Sequence, residues 1–549
     1  MKITYKNKEY EYKNNTSLLE ISKDFSNNYK FDILLGKVNN EVVELDYNVN
    51  MDCEIDFYDL THHIGNKSYE RGLVFLVISA FRELYNCDIK IGHSIDKGIF
   101  CEVINFTIDE NKLNNIKNKI KEYVSSNIKF EKVHYTRYSM EEYYKNNKIF
   151  DKLKNLKYVV RNSLLLYKFN NNYDYFYGEM PINSSYIKYF DFHFFNEKSF
   201  ILLLPNIYLE GSIKPYEHYE KVFNAFKSFT DFSKSQNIFN VSDLNENISS
   251  NKIGELIYIN ESYQNKILYD VVDEILVNNN IKIILIGGPS SSGKTTMSKK
   301  LSMFLKSFGL EPKYLSIDDF FKERDETPIK ENGKLDFESL NSVDLELFNS
   351  SLEKLLNQEE VVLPVFNFIK GTKEYNRKLK LNNKSILIIE GLHALDDNLL
   401  SKIDNSSKFK IYVSPLSSIN IDNHNRITTS DIRLFRRIIR DNMTRGYSAS
   451  DTLEAWKEVR GGEELYVFPF QNKCDVVINT SLVYELGVFR TFVEPLLFSI
   501  NSNDKNYDEA IRLINLIRNI LPIAQNELPY DSIIREFIGN SFFSKIGDE

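Results

Sequence analysis

Apolar and polar residues follow two different patterns in the two halves of this 549-residue chain. In the second half, short apolar runs occur at 281–286, 314–317, 385–389, 409–413 and 475–478, with helical periodicity between them. Strands that alternate with helices predict an α/β fold with a doubly wound parallel sheet. In such sheets ligands bind beyond the carboxyl ends of the strands, so the polar residues that follow each run are candidate site residues.

The first 60 residues carry shorter patterns around one helix candidate at 17–25. The strand candidates lie at 2–5, 9–12, 34–38, 41–43 and 53–58. Two strands, a helix and further short strands predict a small α+β domain.

The remaining segments are divided by their composition and periodicity. A buried helix pattern at 73–84 opens a second α+β region, and a helix at 263–277 precedes the first apolar run of the second half. Amphipathic helices are predicted near the end, at 507–521 and 532–538. We therefore predict two N-terminal domains, a linker with a helix, a main domain and C-terminal helices, at residues 1–60, 61–240, 241–280, 281–500 and 501–549.

Net charge, cysteine spacing and hydropathy indicate which binding partners and which cellular compartment to expect. The net charge of −8 argues against a general electrostatic grip on nucleic acid. The four cysteines, Cys53, Cys87, Cys101 and Cys474, have no CxxC spacing, so we expect free thiols in a reducing compartment. The first residues lack the apolar core of a signal peptide, and no apolar run is long enough to cross a bilayer. We therefore expect a cytoplasmic protein.

A glycine-rich segment, GGPSSSGKTT, follows the first apolar run. Gly288, four residues and then Gly293, Lys294 and Thr295 fit the phosphate-binding P-loop pattern, here between a strand and a helix as that loop requires. Backbone N–H groups of such a loop hold phosphates, its lysine reaches the β- and γ-phosphates, and its hydroxyl binds Mg²⁺. The predicted ATP-binding residues of the loop are Gly288, Pro289, Ser290, Ser291, Ser292, Gly293, Lys294, Thr295 and Thr296.

Acidic residues follow two other apolar runs. Asp318 and Asp319 end the second run, where one carboxylate could accept a proton from an attacking hydroxyl and the other could cap the next segment. We prefer Asp318 as the base. Glu390 ends the third run, at a position suited to hold Mg²⁺ directly or through water; a plain strand-end acid is the alternative.

One predicted helix, DIRLFRRIIRDNMTRG, is rich in arginine. Ile432, Phe435, Ile439 and Met443 share a face that we expect to be buried. The arginines share another face, and only Asp431 and Asp441 could neutralise them locally, so we expect a phosphate clamp rather than a solvated basic surface. Candidate contacts to phosphate or substrate are Arg433, Arg436, Arg440 and Arg445. The glycines that follow, Gly446, Gly461 and Gly462, suggest hinges of a lid.

Together these segments resemble the uridine kinase/phosphoribulokinase family of P-loop kinases over about residues 281–485. The resemblance places the catalytic acid on Asp318, in LSIDDFF, and a ribose-binding acid on Glu338, in DFESLNSVD. The tyrosine that contacts the base in that family falls on Phe366, and its following histidine falls near Lys370 or Gly371. The resemblance thus implies an ATP- and Mg²⁺-dependent kinase without the usual hydrogen bonds to a pyrimidine.

The first half resembles threonyl-tRNA synthetases. Residues 1–60 are similar to the ubiquitin-like TGS domain, which has a β-grasp fold, and the following segment, to about residue 195, resembles the editing domain. The family's His-x-x-x-His positions fall on Arg71 and Phe75, and later ligand positions fall on Phe176 or Tyr177 and Met180, so no zinc site is expected. His62 and His63 are expected in a solvated loop, and His93 in a structural role.

These observations favour an enzyme that phosphorylates the 5′-hydroxyl of a nucleoside, with Asp318, Lys294, Arg433 and Arg440 as catalytic residues. Glu338, Phe366 and Arg433 are the expected substrate contacts. Two alternatives stay open: an RNA-associated P-loop NTPase or regulator, and a kinase for another small alcohol. A homo-oligomer is possible, and the C-terminal helices could pack on the main domain or on another subunit.

Overall fold

The computed structural model describes residues 1–278, 280–330, 333, 335–367, 370–401, 403–417 and 419–544. None of the helices in these residues combines the length and the apolar composition that a membrane span requires. All four cysteines are free thiols.

The N-terminal residues form a five-stranded sheet crossed by one helix. Its strands occur in the order β2-β1-β7-β4-β5, with β1 and β7 parallel and the other pairs antiparallel. The elements are β1 (Lys2–Tyr5), β2 (Lys8–Glu11), β3 (Thr16–Ser17), α1 (Leu18–Phe25), β4 (Leu35–Val38), β5 (Glu41–Glu44), β6 (Asn48–Val49) and β7 (Cys53–Tyr58). Helix α1 starts where the Ser17 side chain accepts a hydrogen bond from the Glu20 N–H, and it buries Leu18, Ile21 and Phe25. The five strands and the helix predicted here are all present, each within one residue of its predicted bounds.

The next region has a long buried helix and two small sheets. One sheet has the order β13-β14-β9-β8 and the other β10-β11-β12, both antiparallel. The elements are α2 (His63–Tyr85), β8 (Asp88–Ile95), β9 (Gly98–Ile104), α3 (Glu110–Ser126), β10 (Glu131–Thr136), α4 (Arg137–Asn146), α5 (Phe150–Leu156), β11 (Ser163–Phe169), β12 (Asn172–Asp174), β13 (Asp191–Asn196), β14 (Ser199–Leu203) and α6 (Glu220–Ser235). Helix α2 begins ten residues before its predicted start.

The expected solvated loop at His62 and His63 is wrong. His62 is the residue before α2, and its ring stacks on Tyr58 with centroids 3.8 Å apart. Burial lowers its pKa well below the usual value. His63 lies in the first turn and contacts Glu509 at 3.1 Å. The prediction failed because a C-terminal helix, distant in sequence, covers this turn.

His93, expected to be structural, lies in β8. Its ring stacks on Phe226 with centroids 3.8 Å apart. Burial lowers its pKa to about 3.

The segment predicted as a linker folds as two helices, α7 (Val241–Ser249) and α8 (Ile253–Val277). Val241, Leu256 and Leu268 are buried in the same hydrophobic cluster as one face of the sheet that follows. These helices therefore form part of the C-terminal core rather than a flexible connection.

The C-terminal half is built on a five-stranded parallel sheet with the order β16-β19-β15-β20-β21. Its elements and their neighbours are β15 (Ile283–Gly287), α9 (Lys294–Ser307), β16 (Glu311–Ser316), α10 (Leu345–Leu356), β17 (Val361–Asn367), β18 (Thr372–Leu379), β19 (Ser385–Glu390), β20 (Lys408–Ser414), α11 (Thr429–Arg445), α12 (Ala449–Tyr466) and β21 (Val476–Asn479). The five predicted apolar runs are the five strands of this sheet. Ile284 and Ile286 face one hydrophobic cluster and Ile283 and Leu285 the other, so both faces are covered.

Three helices complete the chain: α13 (Glu485–Phe498), α14 (Tyr507–Ile517) and α15 (Arg535–Ile538). Leu513, Ile517 and Phe537 are buried in the cluster that also holds Phe435 and Ile439 of α11. The C-terminal helices thus pack on the main domain of the same chain.

Candidate functional site

The loop between β15 and α9 has the backbone shape that its glycines allow. A Cβ atom at Gly288 would lie 2.1 Å from the carbonyl oxygen of Val413, so only glycine fits there. Gly293 precedes α9 with a φ of 88°, a conformation that disfavours other residues. The loop therefore leads directly into the N-terminus of α9, whose first N–H groups have no intrahelical acceptor, the arrangement of a phosphate-binding loop.

Several groups of this loop already have protein partners, among them the N–H of Ser290, which donates to Glu463 at 2.8 Å. The Lys294 ammonium donates to the carbonyl oxygens of Gly288 at 2.9 Å and Pro289 at 3.1 Å. The N–H of Thr296 donates to a carboxylate oxygen of Glu536, at 3.0 Å. A carboxylate from the C-terminal segment thus lies at the positive end of α9, where an anion is electrostatically favoured.

The carboxylates predicted at two strand ends lie near Lys294. Asp318 is in a 3₁₀ turn directly after β16, and Glu390 is the last residue of β19. Burial raises the pKa of Asp318, while the positive charges of Lys294, Arg445 and Arg440 oppose the rise. Burial likewise raises the pKa of Glu390 to about 7, with Lys294 opposing and Asp318 reinforcing it. These five charged groups therefore share one electrostatic environment at the mouth of the loop.

Glu390 and Asp319 each have one further hydrogen-bond partner. The Tyr314 hydroxyl donates to Glu390 at 2.7 Å. The carboxylate of Asp319 accepts from the N–H of Phe366 at 3.4 Å, which ties it to β17. The environment of Asp318 contains the cations of the loop and of α11.

Arg433 and Arg436 do not lie on the open side of the loop. Arg433 is buried, forms an ion pair with Glu463 and donates to the carbonyl oxygen of Ser290 at 2.9 Å. Arg436 is buried, pairs with Glu485 at 2.6 Å and donates to the carbonyl oxygens of Ser292 and Thr480. The structure thus places both guanidinium groups beneath the loop, where they support its backbone.

We expected the arginines of α11 to repel one another unless an anionic ligand is bound. This expectation is wrong, because carboxylates of the protein contact them. Glu463 on α12 and Glu485 on α13 neutralise Arg433 and Arg436, and Asp441 contacts Arg437 and Arg440. Glu463 and Glu485 are distant in sequence, so the local pattern could not reveal them, whereas Asp441 is one of the two local acids that the sequence indicated. Met443, expected in the buried face of α11, is 49% exposed.

The remaining arginines of α11 face the loop and Asp318. Arg437 donates to the Ser290 hydroxyl at 2.8 Å, a contact that sequence reasoning left unassigned. The positive charges of Arg440 and Arg445 stabilise ionised Asp318. The side chain of Arg445 is half exposed and lies 3.5 Å from Asp441.

Glu338 and Phe366 are the two predicted substrate contacts that lie outside the loop and α11. Burial raises the pKa of Glu338 to about 7, Glu463 adds to the rise, and Arg437 opposes it. A Cβ atom at Gly462 would lie 2.7 Å from the Cβ of Glu338, so the two backbones are closely packed. Phe366 is buried, with its ring centroid 5.9 Å from that of Phe321.

The hinge prediction is wrong for two of the three glycines. Gly461 and Gly462 lie inside α12, which runs without a break through both. Gly446 ends α11 with a φ of 70°. Lys370 is exposed and pairs with Glu374 at 3.0 Å.

Other residue types occupy the positions at which the editing domain has its metal ligands. The Arg71 guanidinium donates twice to the carbonyl oxygen of Glu179, at 2.6 and 3.1 Å. Phe75, Phe176 and Met180 are buried in the hydrophobic core. Within the described ranges, no group of three or more His, Cys, Asp or Glu side chains is arranged to hold a metal ion.

Comparison with known proteins locates the similarity in the sheet domain. The family model of phosphoribulokinase and uridine kinase matches residues 283–485. The uridine kinase of Anoxybacillus flavithermus is 26% identical over 197 residues, which cover 36% of this chain and 84% of that enzyme. The uridine kinase of Ligilactobacillus salivarius is 27% identical over 206 residues, which cover 37% and 88%.

Solved structures match the same part of the chain. A possible uridine kinase from Bacillus stearothermophilus has 21% identity and a TM-score of 0.22, covering 36% of this chain and 89% of that one. A D-glycerate 3-kinase from Cryptococcus neoformans has 15% identity and a TM-score of 0.22, covering 47% and 88%. On the family match and the curated relatives, residues 283–485 form a P-loop kinase domain of the phosphoribulokinase/uridine kinase family.

Proposed function

We propose that this protein transfers the terminal phosphate of ATP to the 5′-hydroxyl of a nucleoside. The observation that carries the proposal is the position of Asp318, a partly buried carboxylate in one electrostatic environment with Lys294, Arg440 and Arg445. A carboxylate among cations at the mouth of a P-loop is suited to accept the proton of an attacking alcohol.

The loop is suited to the phosphates of ATP. Its concave backbone is held open by glycine at 288 and 293, and the N–H groups of Lys294 and Thr295 begin α9 without an intrahelical acceptor. Lys294 reaches only carbonyl oxygens of its own loop, so its charge is available to a phosphate. Arg440 and Arg445 would stabilise the charge of the transferred group.

Mg²⁺ fits the oxygen donors beside the loop. The exposed hydroxyl of Thr295 and the carboxylate of Glu390 are hard ligands, and Mg²⁺ that also binds phosphates needs few protein ligands. When bound, the ion would neutralise charge on the phosphates. Because burial raises the pKa of Glu390 to about 7, binding of the ion favours loss of its proton.

The nucleoside is the acceptor that the relatives support, since those reported above are uridine kinases. Glu338 is the candidate ligand of a sugar hydroxyl, and the charges of Arg437 and Asp318 that act on its carboxyl group support a role at this site. A different small alcohol is the second candidate acceptor. It is supported by Phe366, a buried apolar ring where the related kinases are expected to contact the base.

For the first half, we propose a TGS-like β-grasp domain at residues 1–60 and an editing-like domain without metal ligands at 61–240. The sheet order β2-β1-β7-β4-β5 with its central parallel pair supports the first assignment. An RNA-associated activity would follow from that likeness. ATP hydrolysis that RNA stimulates and nucleosides do not would favour it over the kinase.

The proposal is tested by transfer of radiolabelled phosphate from ATP to a panel of nucleosides, with sugars, sugar phosphates and hydroxy acids as a second panel. We expect a labelled nucleoside 5′-monophosphate. Transfer only to a member of the second panel would select the alternative acceptor. No transfer to either panel by protein that binds ATP would reject the kinase reaction.

A further inference from the structure

A cavity of about 970 Å³ lies outside the kinase site, between the first half of the chain and the C-terminal helices. Side chains of α2, of residues 155–179 and of α13 and α14 line it. Its volume is in the range of sites for small molecules.

Most charged side chains in the wall of this cavity are already paired. Lys67 contacts Asp431 at 3.4 Å, and Arg512 contacts the same carboxylate at 2.6 Å. Arg490 pairs with Glu494 at 3.1 Å. Arg512 also contacts Glu509 at 2.6 Å, so Lys67 and Arg512 together have two carboxylate partners and need no ligand.

Acidic side chains of the wall are satisfied as well. Glu44 pairs with Lys132 at 2.7 Å and accepts from the Tyr167 hydroxyl. Asp508 accepts from Tyr58 at 2.6 Å and lies 3.6 Å from Lys37. The wall therefore offers no free cluster of carboxylates.

Arg71 is the exception among the cations. Its Nε and one terminal nitrogen donate to the backbone carbonyl of Glu179, and no carboxylate in the described part of the chain lies within 4 Å. The guanidinium is packed against Gly178, where a Cβ atom would lie 2.8 Å from its Cζ. Burial lowers the pKa of Arg71, and the negative charges of Glu179 and Glu70 oppose the shift without forming an ion pair to the guanidinium in the described residues.

A second arginine without an ion pair lines the same cavity. Arg161 is exposed, and its charge reaches Tyr175. As for Arg71, the residues described here include no acidic partner for it. The rings of Tyr175 and Tyr177, which follow Arg161 in the chain and also line the cavity, lie edge to face with centroids 4.7 Å apart. Burial raises the pKa of both tyrosines, so their hydroxyls stay protonated and can donate hydrogen bonds.

We propose that this cavity binds a small molecule that carries a phosphate group, with Arg71 as its main anchor. The planar guanidinium has nitrogens left to donate beyond its two bonds to Glu179, and a bidentate contact to phosphate uses that geometry. Arg161 and the hydroxyl of Tyr177 are placed for the rest of the molecule. The site is distinct from the P-loop, and the proposal does not depend on the kinase reaction.

The test is calorimetric titration of the full-length protein while a saturating non-hydrolysable ATP analogue fills the P-loop. The probes are inorganic phosphate, a panel of nucleoside 5′-monophosphates and a panel of sugar phosphates. We expect at least one probe to bind with a stoichiometry of one, and the panel that binds identifies the source of the phosphate.

Substitutions assign that binding to the cavity. Arg71→Gln keeps a donor for the Glu179 carbonyl and removes the charge, so we expect affinity to fall about tenfold or more. Lys168→Gln removes a charge from β11 at an exposed pair with Glu131 and should leave affinity unchanged. Arg161→Gln, at an exposed position, should also weaken binding. If Arg71→Gln does not fold, this variant tests whether the probe binds in the cavity. Binding by no probe, or equal binding by the wild type and the arginine variants, would overturn the proposal.

Discussion

Arg433 and Arg440 lie on the same helix and differ in what surrounds them. Arg433 is buried against Glu463 and the loop backbone, whereas Arg440 lies beside Asp441 and acts electrostatically on Asp318. One residue type therefore serves two purposes within two turns of helix. The first supports the shape of the P-loop, and the second is available to a transferred phosphate.

Substitution should separate these two purposes. Arg433→Ala leaves Glu463 with one cation fewer in a buried site, so we expect the free energy of unfolding to fall by about 3–5 kcal/mol. Arg440→Ala should change stability by less than about 1 kcal/mol while turnover falls at least tenfold. Urea unfolding and initial rates measure the two effects. Similar stability losses in both variants would contradict the assignment.

Protonation of Glu390 should make the free energy of unfolding depend on pH. Because burial raises its pKa to about 7, the folded state keeps a proton that the unfolded chain loses above about pH 4.5. The free energy of unfolding should therefore decrease between about pH 4.5 and 7, by at most about 3 kcal/mol from this group. Glu390→Gln should flatten that part of the profile, measured by urea unfolding without Mg²⁺. An unchanged slope would show that Glu390 ionises normally.

At the scale of elements, the C-terminal segment lies directly on the P-loop. A Cβ atom at Gly293 would lie 2.5 Å from Ile533, and Glu536 accepts from the N–H of Thr296. Lys300 of α9 pairs with Asp531 at 3.3 Å. The carboxylate of Glu536 thus takes an N–H group that a phosphate of ATP would use on the proposed site.

Removing that carboxylate should strengthen ATP binding. We expect Glu536→Ala to lower the Kd for ATP about three- to tenfold, because repulsion of the phosphates and competition for the N–H are both removed. Glu527→Ala, in the same segment but outside the loop contact, is the control. Titration with a non-hydrolysable analogue measures both. Weaker binding by Glu536→Ala would mean that the carboxylate supports the site instead.

The elements differ in how far the sequence could predict them. The strands from β15 to β21 in the parallel sheet, and the glycines of the loop, follow from local patterns of apolar residues and from backbone conformation. Glu463, Glu485 and Glu536 could not be predicted, because their partners are 30 to 240 residues away. Ion pairs between residues far apart in the chain leave no periodic pattern in the sequence. The carboxylates that contact the loop and α11 could therefore be identified only from the structure.

At the scale of the whole molecule, a buried network joins the two halves. Lys152 and His424 both contact Asp174, and Lys152 also lies 3.7 Å from Asp422. Burial acts to lower the pKa of His424, but Asp174 and Asp88 outweigh it and raise the value to about 9. Arg426 adds an ion pair with Glu70 at 2.6 Å. The loop that precedes α11 is therefore anchored in the first half.

Breaking this network should uncouple the halves. Asp174→Asn leaves Lys152 and His424 with less negative charge in a buried site, so we expect a loss of about 3–5 kcal/mol and two separate unfolding steps in calorimetry. Asp191→Asn, at a more exposed pair with Lys117, should cost less than about 1 kcal/mol. A single transition at the wild-type temperature in Asp174→Asn would argue against a structural junction.

On the proposed mechanism, Asp318 accepts the proton of the attacking hydroxyl at an intact P-loop. The decisive experiment is single-turnover transfer of labelled phosphate by Asp318→Asn, with the Kd for ATP measured on the same sample. Asp325→Asn, an exposed acid on the following loop, is the matched control. We predict that Asp318→Asn slows transfer by about 10²–10⁴ and changes the Kd less than threefold. Equal losses in rate and affinity, or a rate close to that of Asp325→Asn, would contradict the account.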